Sequence, residues 1–395
     1  MKVLHIYRQA NNGEIGGVEN HIAYLVKEQV SQGLFPYVLS IIVSNKDKLS
    51  VKIEDGVGWY YLEVKDPFFV LSKKIPIFEK GQLGLAMVLF TRIFQNFRLK
   101  QKLKVIEQIA PDIIHQHDYI SSIRLNFKIA GKINVVWTNH SGEYLLLDKT
   151  KFTPYLQYHF LKPFTCIIAP SNNLLPHNRP HAYFIPNGAD TSLFTTTLPK
   201  IKQELKNKEG INDRIVFLCA RRWAPNKGVV YFAKALNLLD IETKQKAVFL
   251  FAGNESDDFK QCKKEIYEEL NKCSDADIRI LGNLGHDEMS RLFTITDVGV
   301  IPSLVEGMSL FSIELISAGI PVLATCVGGL PQIVKHEVNG WLVAPGSAYT
   351  LAKQIKKIVS GWPGTKPEID TDEFRSRYAW NVIADEILKI YKKYI

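Results

Sequence analysis

Cysteine is scarce, with five in 395 residues. Cys166, Cys219, Cys262, Cys273 and Cys326 are odd in number and widely spaced, and four lie in or beside apolar stretches. That pattern excludes a disulfide framework and a zinc spacing, and fits buried thiols in a reducing compartment. No run reaches the apolar length of a membrane-spanning helix, and the opening MKVLHIYRQ lacks the long apolar core of a secretory leader and reads as a first strand. The expected location is the cytoplasm. Internal repeats and low-complexity tracts are also missing. So is the dinucleotide fingerprint of three spaced glycines with an acid after the next strand, which argues against a nicotinamide or flavin enzyme.

What is present points to two α/β domains. The length exceeds what one core usually serves, and 46% hydrophobic with 23% charged residues is an ordinary globular composition. Apolar, β-branched segments alternate with helical patterns: VLHIY (3–7), YVLSIIV (37–43), DIIHQHD (112–118), INVVWTNH (133–140), CIIAPS (166–171) and AYFIPNG (182–188). A polar stretch over 191–210 interrupts them. The pattern restarts with RIVFLCA (214–220), AVFLFAG (247–253), IRILGN (278–283), VGVIPS (298–303) and VLATCV (322–327). Such alternation predicts parallel sheets covered on both faces. The expected boundaries are 1–195 for a first Rossmann-like domain, 196–372 for a second, and 373–395 for a final amphipathic helix.

The formal charge of +9 is uneven: residues 1–195 hold 22 Lys and Arg against 15 Asp and Glu, and residues 196–395 hold 27 against 25. Part of the excess is Arg92, Arg98, Lys100, Lys102 and Lys104, on a segment of helical composition without an acid. A solvated helix face is the plain reading of these five. Alternation with Ile93, Phe94, Phe97, Leu99 and Leu103 adds a second, peripheral docking on an anionic membrane at the inner face of the plasma membrane. Nucleic acid is not an expected partner, since no recognised module accompanies the charge.

The chemistry concentrates in PSLVEGMSLFSIELISAGIPVLATCVGG (302–329). Glu306 and Glu314 stand eight positions apart, across a turn at Gly307 and a helix cap at Ser309. Glu306 is therefore expected just before a helix and Glu314 within it, with free backbone N–H groups between them that suit an anion. Glu314 sits among Leu310, Phe311, Ile313, Leu315 and Ile316, where an ionised carboxylate needs hydrogen-bond donors such as a sugar diol. Arg222 and Lys227 follow the strand RIVFLCA and suit a diphosphate leaving group. Gly16-Gly17, in the loop between first strand and first helix, lets backbone approach a phosphate. His140 ends the strand INVVWTNH and is placed to touch a transferred sugar. His115 and His117 face the same way on a strand and with Asp118 resemble a metal pair, but no further carboxylate or histidine cluster is apparent to complete it. Asp275-Ala-Asp277 and Asp370-Thr-Asp372 precede a strand and a helix, so they read as turns or caps.

The segment with Glu306, Glu314, Gly319, Pro321 and Gly328-Gly329 resembles the signature of the family 4 retaining glycosyltransferases, enzymes of the GT-B fold. The resemblance extends in the family's order through Gly16-Gly17-Val18-Glu19, Asp112 to His115, Thr138-Asn139-His140, Pro186 to Asp190, and Arg222 with Lys227-Gly228. Met308-Ser309 stands where the family usually has Phe-Gly, Gln332 where a Glu often follows, and Arg221 where a Gly is commoner, which leaves open which arginine points inward. The resemblance implies two Rossmann-like domains facing across a cleft, with the last helix crossing back to the first. It implies transfer of a sugar, with retained configuration, from a nucleoside-diphosphate donor, UDP being the guess, to a glycan or lipid-linked acceptor in cell-surface glycan synthesis. In that reading Glu306 and the backbone of Gly307, Met308, Ser309 and Leu310 hold the donor sugar, and Glu314 the ribose. Gly16, Gly17, Arg222 and Lys227 take the diphosphate, and no metal or other cofactor is expected. A nucleotide-sugar epimerase or hydrolase of the same fold, or a non-catalytic nucleotide-sugar-binding subunit, are the alternatives.

Overall fold

The computed structural model describes residues 1–9, 16–66, 95–140, 159, 161–176, 179–253 and 259–395. They form two compact units, Met1–Pro186 with Trp380–Ile395, and Asn187–Ala379. The first break falls ahead of residue 195 because Ala189 N–H donates to the Tyr378 carbonyl and Phe194 enters the second unit's core. The second falls after residue 372 because Phe374 and Tyr378, on the helix Thr371–Tyr378, pack on that same core. Among the described residues no helix is long and apolar enough to cross a membrane.

The first unit is built on an eight-stranded sheet of β1 (Lys2–Arg8), β2 (Phe35–Ser44), β3 (Lys48–Glu54), β4 (Val57–Lys65), β5 (Ile113–Gln116), β6 (Asn134–Thr138), β7 (Cys166–Ala169) and β8 (Ala182–Phe184). Their order is β3-β4-β2-β1-β5-β6-β7-β8, and only the β3–β4 pair is antiparallel. β1 is buried at five successive residues, Val3 to Tyr7, as a central parallel strand covered on both faces must be. β3 and β4 form a hairpin that the strand pattern did not predict. β3 is exposed along nearly its whole length, so it lacks an apolar pattern, but its Asp55-Gly56 turn, both residues at positive φ, is the local signal for it. The helix Trp380–Tyr394 belongs to this unit: Trp380 stacks on Tyr24 of the helix Gly17–Ser31, and Gln32 donates to Asp385.

The basic segment is less of a surface patch than its sequence suggests. Lys102 is 1% exposed and its Nζ donates to the Ser121 carbonyl at 2.6 Å; burial, opposed by Asp118, pushes its pKa down to about 8. Arg98 bonds the Lys65 carbonyl and pairs with Asp47 at 3.2 Å. Lys100 and Lys104 are exposed, while Arg92 lies outside the described residues, as do Ile93 and Phe94. A long aliphatic stem that reaches a buried carbonyl is not distinguishable in sequence from one that reaches water.

The second unit holds a wholly parallel sheet of β9 (Ile215–Ala220), β10 (Ala247–Ala252), β11 (Asp277–Gly282), β12 (Val298–Ile301), β13 (Val322–Thr325) and β14 (Gly340–Val343), in the order β11-β10-β9-β12-β13-β14. This is the doubly wound arrangement, in which ligands sit beyond the carboxyl ends of the strands where chain order reverses. Here that point lies between β9 and β12, and in the first unit between β1 and β5. Phe217, Phe232, Phe249 and Phe251 are fully buried in the core on one face of β9 and β10, each contributing about 1.5–3 kcal/mol. Asp275 pairs with Lys244, Asp277 with Arg279, and Asp370 caps the helix Thr371–Tyr378 by accepting from Glu373 N–H.

Candidate functional site

Two loops meet at the second unit's switch point. After β9 the chain runs through Arg221 and Arg222 into a single turn, Pro225–Lys227, and the helix Val229–Leu236. After β12 it runs from Pro302 to Ser309 and into the helix Leu310–Ser317. The Asn226 carbonyl accepts from the amides of Leu304 and Val305 at 2.9 and 3.2 Å, so the loops are tied together. Gly228 makes the approach possible. Its φ is +65°, and a Cβ there would lie 1.9 Å from the Pro302 carbonyl oxygen. Ser309 caps the helix as expected, its hydroxyl accepting from Ser312 N–H at 3.3 Å.

Glu306 is 8% exposed and holds the two loops by charge. Arg221 pairs with its Oε2 and also donates to the Ser309 hydroxyl at 3.3 Å. Lys227 Nζ lies 3.0 Å from the same Oε2, and the Ser303 hydroxyl donates to it at 3.2 Å. Burial would push the Glu306 carboxyl up, but the charges of Arg221 and Lys227, with the Lys227 and Ser303 hydrogen bonds, outweigh it and hold it below the ordinary carboxylate range. Burial and the neighbouring Arg221 lower the Lys227 pKa, against the pull of Glu306. Two cations thus face one ionised carboxylate, an imbalance that favours an arriving anion.

Glu314 behaves differently. It is 9% exposed, and burial pushes its pKa up to about 7 against the opposing charge of Arg221. Its folded pKa therefore stands above the ordinary 4.5, so its contribution to stability is fully present below pH 4.5 and is lost as pH rises towards 7. The difference is on the order of 3 kcal/mol. Glu314→Gln should accordingly melt higher than the wild type at pH 8, with the gap closing at acid pH; parallel melting curves across that range would exclude a strained carboxylate.

Of the residues expected from sequence, the structure brings together Glu306, Lys227, Gly307, Met308, Ser309, Leu310 and Glu314 within the second unit. Asn187 joins them by donating to the Met308 carbonyl at 3.3 Å. Arg222 reaches them only through its charge, which adds to the lowering of the Lys227 pKa. It is exposed, with its guanidinium 5.7 Å over the Phe259 ring, and Arg221 takes the inward position. Gly253 seats that side chain's backbone, for a Cβ there would lie 2.2 Å from the Arg221 carbonyl oxygen. Gly16 and Gly17 open the helix Gly17–Ser31 in the first unit, and the Gly16 amide is already bonded by Glu19 Oε2 at 3.1 Å.

His140 lies at the carboxyl end of β6 and is half-buried. Sequence reasoning missed its company: His5, His21 and His140 converge on His115 and His117. His5 and His115 are register partners on β1 and β5, and the stacked His115 and His117 rings have centroids 4.3 Å apart. His117 bonds His5 on one side and His140 on the other, each at 3.0 Å. Ligand atoms of His5, His115 and His117, and of His21, His117 and His140, lie within 4.8 Å of one another, close enough for a metal. Recognising this cluster requires the sheet order β1-β5-β6, which no local pattern carries.

Residues 201–372 match the family model described as glycosyl transferases group 1, and residues 15–193 match the one described as glycosyltransferase family 4. An uncharacterised glycosyltransferase of Methanocaldococcus jannaschii is 27% identical over 322 residues, 76% of this chain and 80% of that protein. An Escherichia coli UDP-Gal:alpha-D-GlcNAc-diphosphoundecaprenol alpha-1,3-galactosyltransferase is 25% identical over 61% of this chain and 64% of its own length. Among solved structures, the sucrose-phosphate synthase of Thermosynechococcus elongatus has a TM-score of 0.78 at 16% identity, covering 99% of this chain and 98% of that chain. HepE of Anabaena in complex with UDP has a TM-score of 0.73 at 17% identity, with 100% of both chains covered.

Proposed function

Because the chain belongs to the family 4 glycosyltransferases and has their GT-B fold, we propose that it transfers a sugar, with retention, from a UDP-sugar to a hydroxyl of a lipid-linked glycan. The observation that carries the donor half is the pair of cations, Arg221 and Lys227, gathered on buried Glu306 at the switch point of the second unit. A diphosphate leaving group gains negative charge as its bond to the sugar breaks, and preorganised cations stabilise that charge. Arg221 offers a fork and Lys227 a point charge. Glu314, ionised, accepts from the ribose hydroxyls, and Glu306 with the Gly307 to Leu310 backbone orients the sugar. UDP is favoured by the UDP-bound HepE structure and the UDP-Gal-dependent relative, and the acceptor class by that relative's diphosphoundecaprenol substrate.

In this reading the departing phosphate oxygen accepts the acceptor's proton on the face where the new bond forms, so no enzymic nucleophile is required. Arg221 and Lys227 do the electrostatic work that a divalent ion does elsewhere. Transfer from UDP-sugar to a diphosphoundecaprenol-linked acceptor should therefore persist in EDTA, should give the donor's anomeric configuration, and should be far faster than donor hydrolysis without acceptor. Hydrolysis or epimerisation at the same rate without acceptor would make the protein a nucleotide-sugar hydrolase or epimerase. Loss of transfer in EDTA, restored by magnesium, would show that the two cations do not suffice.

A further inference from the structure

Four of the five buried or half-buried histidines in this cluster have a polarity that can be worked out from one amide. Gln29 sits on the helix Gly17–Ser31 and is 1% exposed. Its Oε1 lies 2.8 Å from His5 Nε2, and its Nε2 donates to the Tyr391 hydroxyl at 3.4 Å. A carbonyl oxygen only accepts, so His5 must carry its proton on Nε2 and leave Nδ1 bare. His5 Nδ1, 3.0 Å from His117 Nε2, then accepts, and His117 carries its proton on Nε2. His117 Nδ1, 3.0 Å from His140 Nε2, accepts in turn. His140 is thereby the Nε2–H tautomer, and its Nδ1, with no partner among the described residues, is left as a lone pair.

The second arm agrees with the first. Tyr391, accepting from Gln29, donates to His115 Nδ1, and His115 Nε2 donates to the Thr138 hydroxyl at 2.6 Å. Every ring nitrogen in the two arms other than His140 Nδ1 has one partner of the right polarity. The chain ends on an amide that cannot take up a proton, so it sets tautomers and conducts nothing. Burial, with the neighbouring imidazoles adding to it, holds His115, His117 and His140 well below the ordinary histidine range, and burial pushes His5 down to about 4. All four are neutral near pH 7, as hydrogen bonding from ring to ring requires.

We propose that Gln29, His5 and His117 are positioning residues that hold His140 as the Nε2–H tautomer, so that its Nδ1 stands bare to accept a hydrogen bond from a ligand hydroxyl. The inference rests on the glycosyl-transfer reading for the identity of that hydroxyl, and on the first unit alone for the tautomer. A metal is the competing use of the same nitrogens, and an ion in either trio would take a His117 nitrogen that now bonds a neighbouring ring.

The test is nitrogen-15 NMR of the histidine rings in the full chain, wild type, Gln29→Leu and His117→Phe, with nucleotide binding as the check that the second unit is intact. The wild type should show His140 protonated at Nε2 alone, and both variants a mixture of tautomers. Transfer should fall about 10–100-fold in both, the range for outer partners of functional histidines. His117→Gln, whose amide can still accept from His140, should recover part of the loss. If His117→Phe does not fold, Gln29→Leu carries the same readout. An Nδ1–H tautomer in the wild type, an unchanged His140 tautomer in Gln29→Leu, or one equivalent of zinc retained with loss of the ring N–H signals would overturn the proposal. The ring readout does not depend on activity, so a failure of the transferase reading would appear separately, as absent nucleotide binding.

Discussion

Lys227→Ala should lower kcat for sugar transfer by about 10²–10³-fold, the range seen when one preorganised charge-stabilising donor is removed, while donor affinity falls by much less. The asymmetry follows from where the charge is greatest. In the proposed reading a ground-state diphosphate is held through Arg221 and backbone amides as well, whereas the leaving group's extra charge exists only as the sugar bond breaks. Lys227 is placed for that task. Its side chain is 20% exposed and its Nζ is 3.0 Å from Glu306 Oε2, so desolvation strengthens its field. The fold should tolerate the change, since Glu306 keeps Arg221 and the Ser303 hydroxyl as partners. Steady-state kinetics with donor titrated at saturating acceptor separates the effects. A variant with wild-type kcat and a raised KM would reduce Lys227 to a binding residue.

Gly328→Ala should cost on the order of 3–4 kcal/mol, from left-handed backbone strain plus displacement of a packed chain. Gly328 has φ +52°, and a Cβ there would lie 1.5 Å from the Glu306 carbonyl oxygen and 2.6 Å from its carbon. Backbone cannot rotate away as a side chain can. The adjacent Gly329 N–H donates to the Gly307 carbonyl at 2.9 Å, so the turn after β13 supports the loop carrying Glu306 from behind. The variant should melt about 10 °C lower and should lose donor affinity as well, because Glu306 cannot stay where it is. Gly282→Ala is the control: φ is +68°, but nothing lies within 4 Å of the added methyl. It should cost about 1 kcal/mol. Equal losses at the two sites would mean that left-handed strain, not the approach of Glu306, explains the glycine.

The second unit was the more legible half because its information is local. β9, β10, β12 and β13 are apolar runs buried on both faces, the cap at Ser309 is read from one hydroxyl, and the glutamate spacing spans one turn and one helix. β14, Gly340–Val343, was not among the strands the pattern predicted. What stayed hidden depends on which strands become neighbours. Arg221 and Arg222 are equivalent in sequence, and the approach of Gly253 to the Arg221 carbonyl is a contact between β9 and β10 termini. The histidine cluster joins residues from β1, β5, β6 and the helix Gly17–Ser31, so three long-range pairings must be known before its members meet. Lys102 misled for a different reason, since its partner is a backbone carbonyl, and carbonyls leave no trace in composition.

The central claim is that the second unit binds a nucleoside-diphosphate sugar through Arg221, Lys227, Glu306 and Glu314. Calorimetric titration of the wild type and Glu314→Ala with UDP, and with GDP and ADP for comparison, tests it most directly. One equivalent of UDP should bind the wild type more tightly than GDP or ADP, and Glu314→Ala should weaken it at least tenfold, the worth of about 1.4 kcal/mol from the ribose contacts. Binding of none of the three, or UDP binding unchanged by Glu314→Ala, would contradict the account.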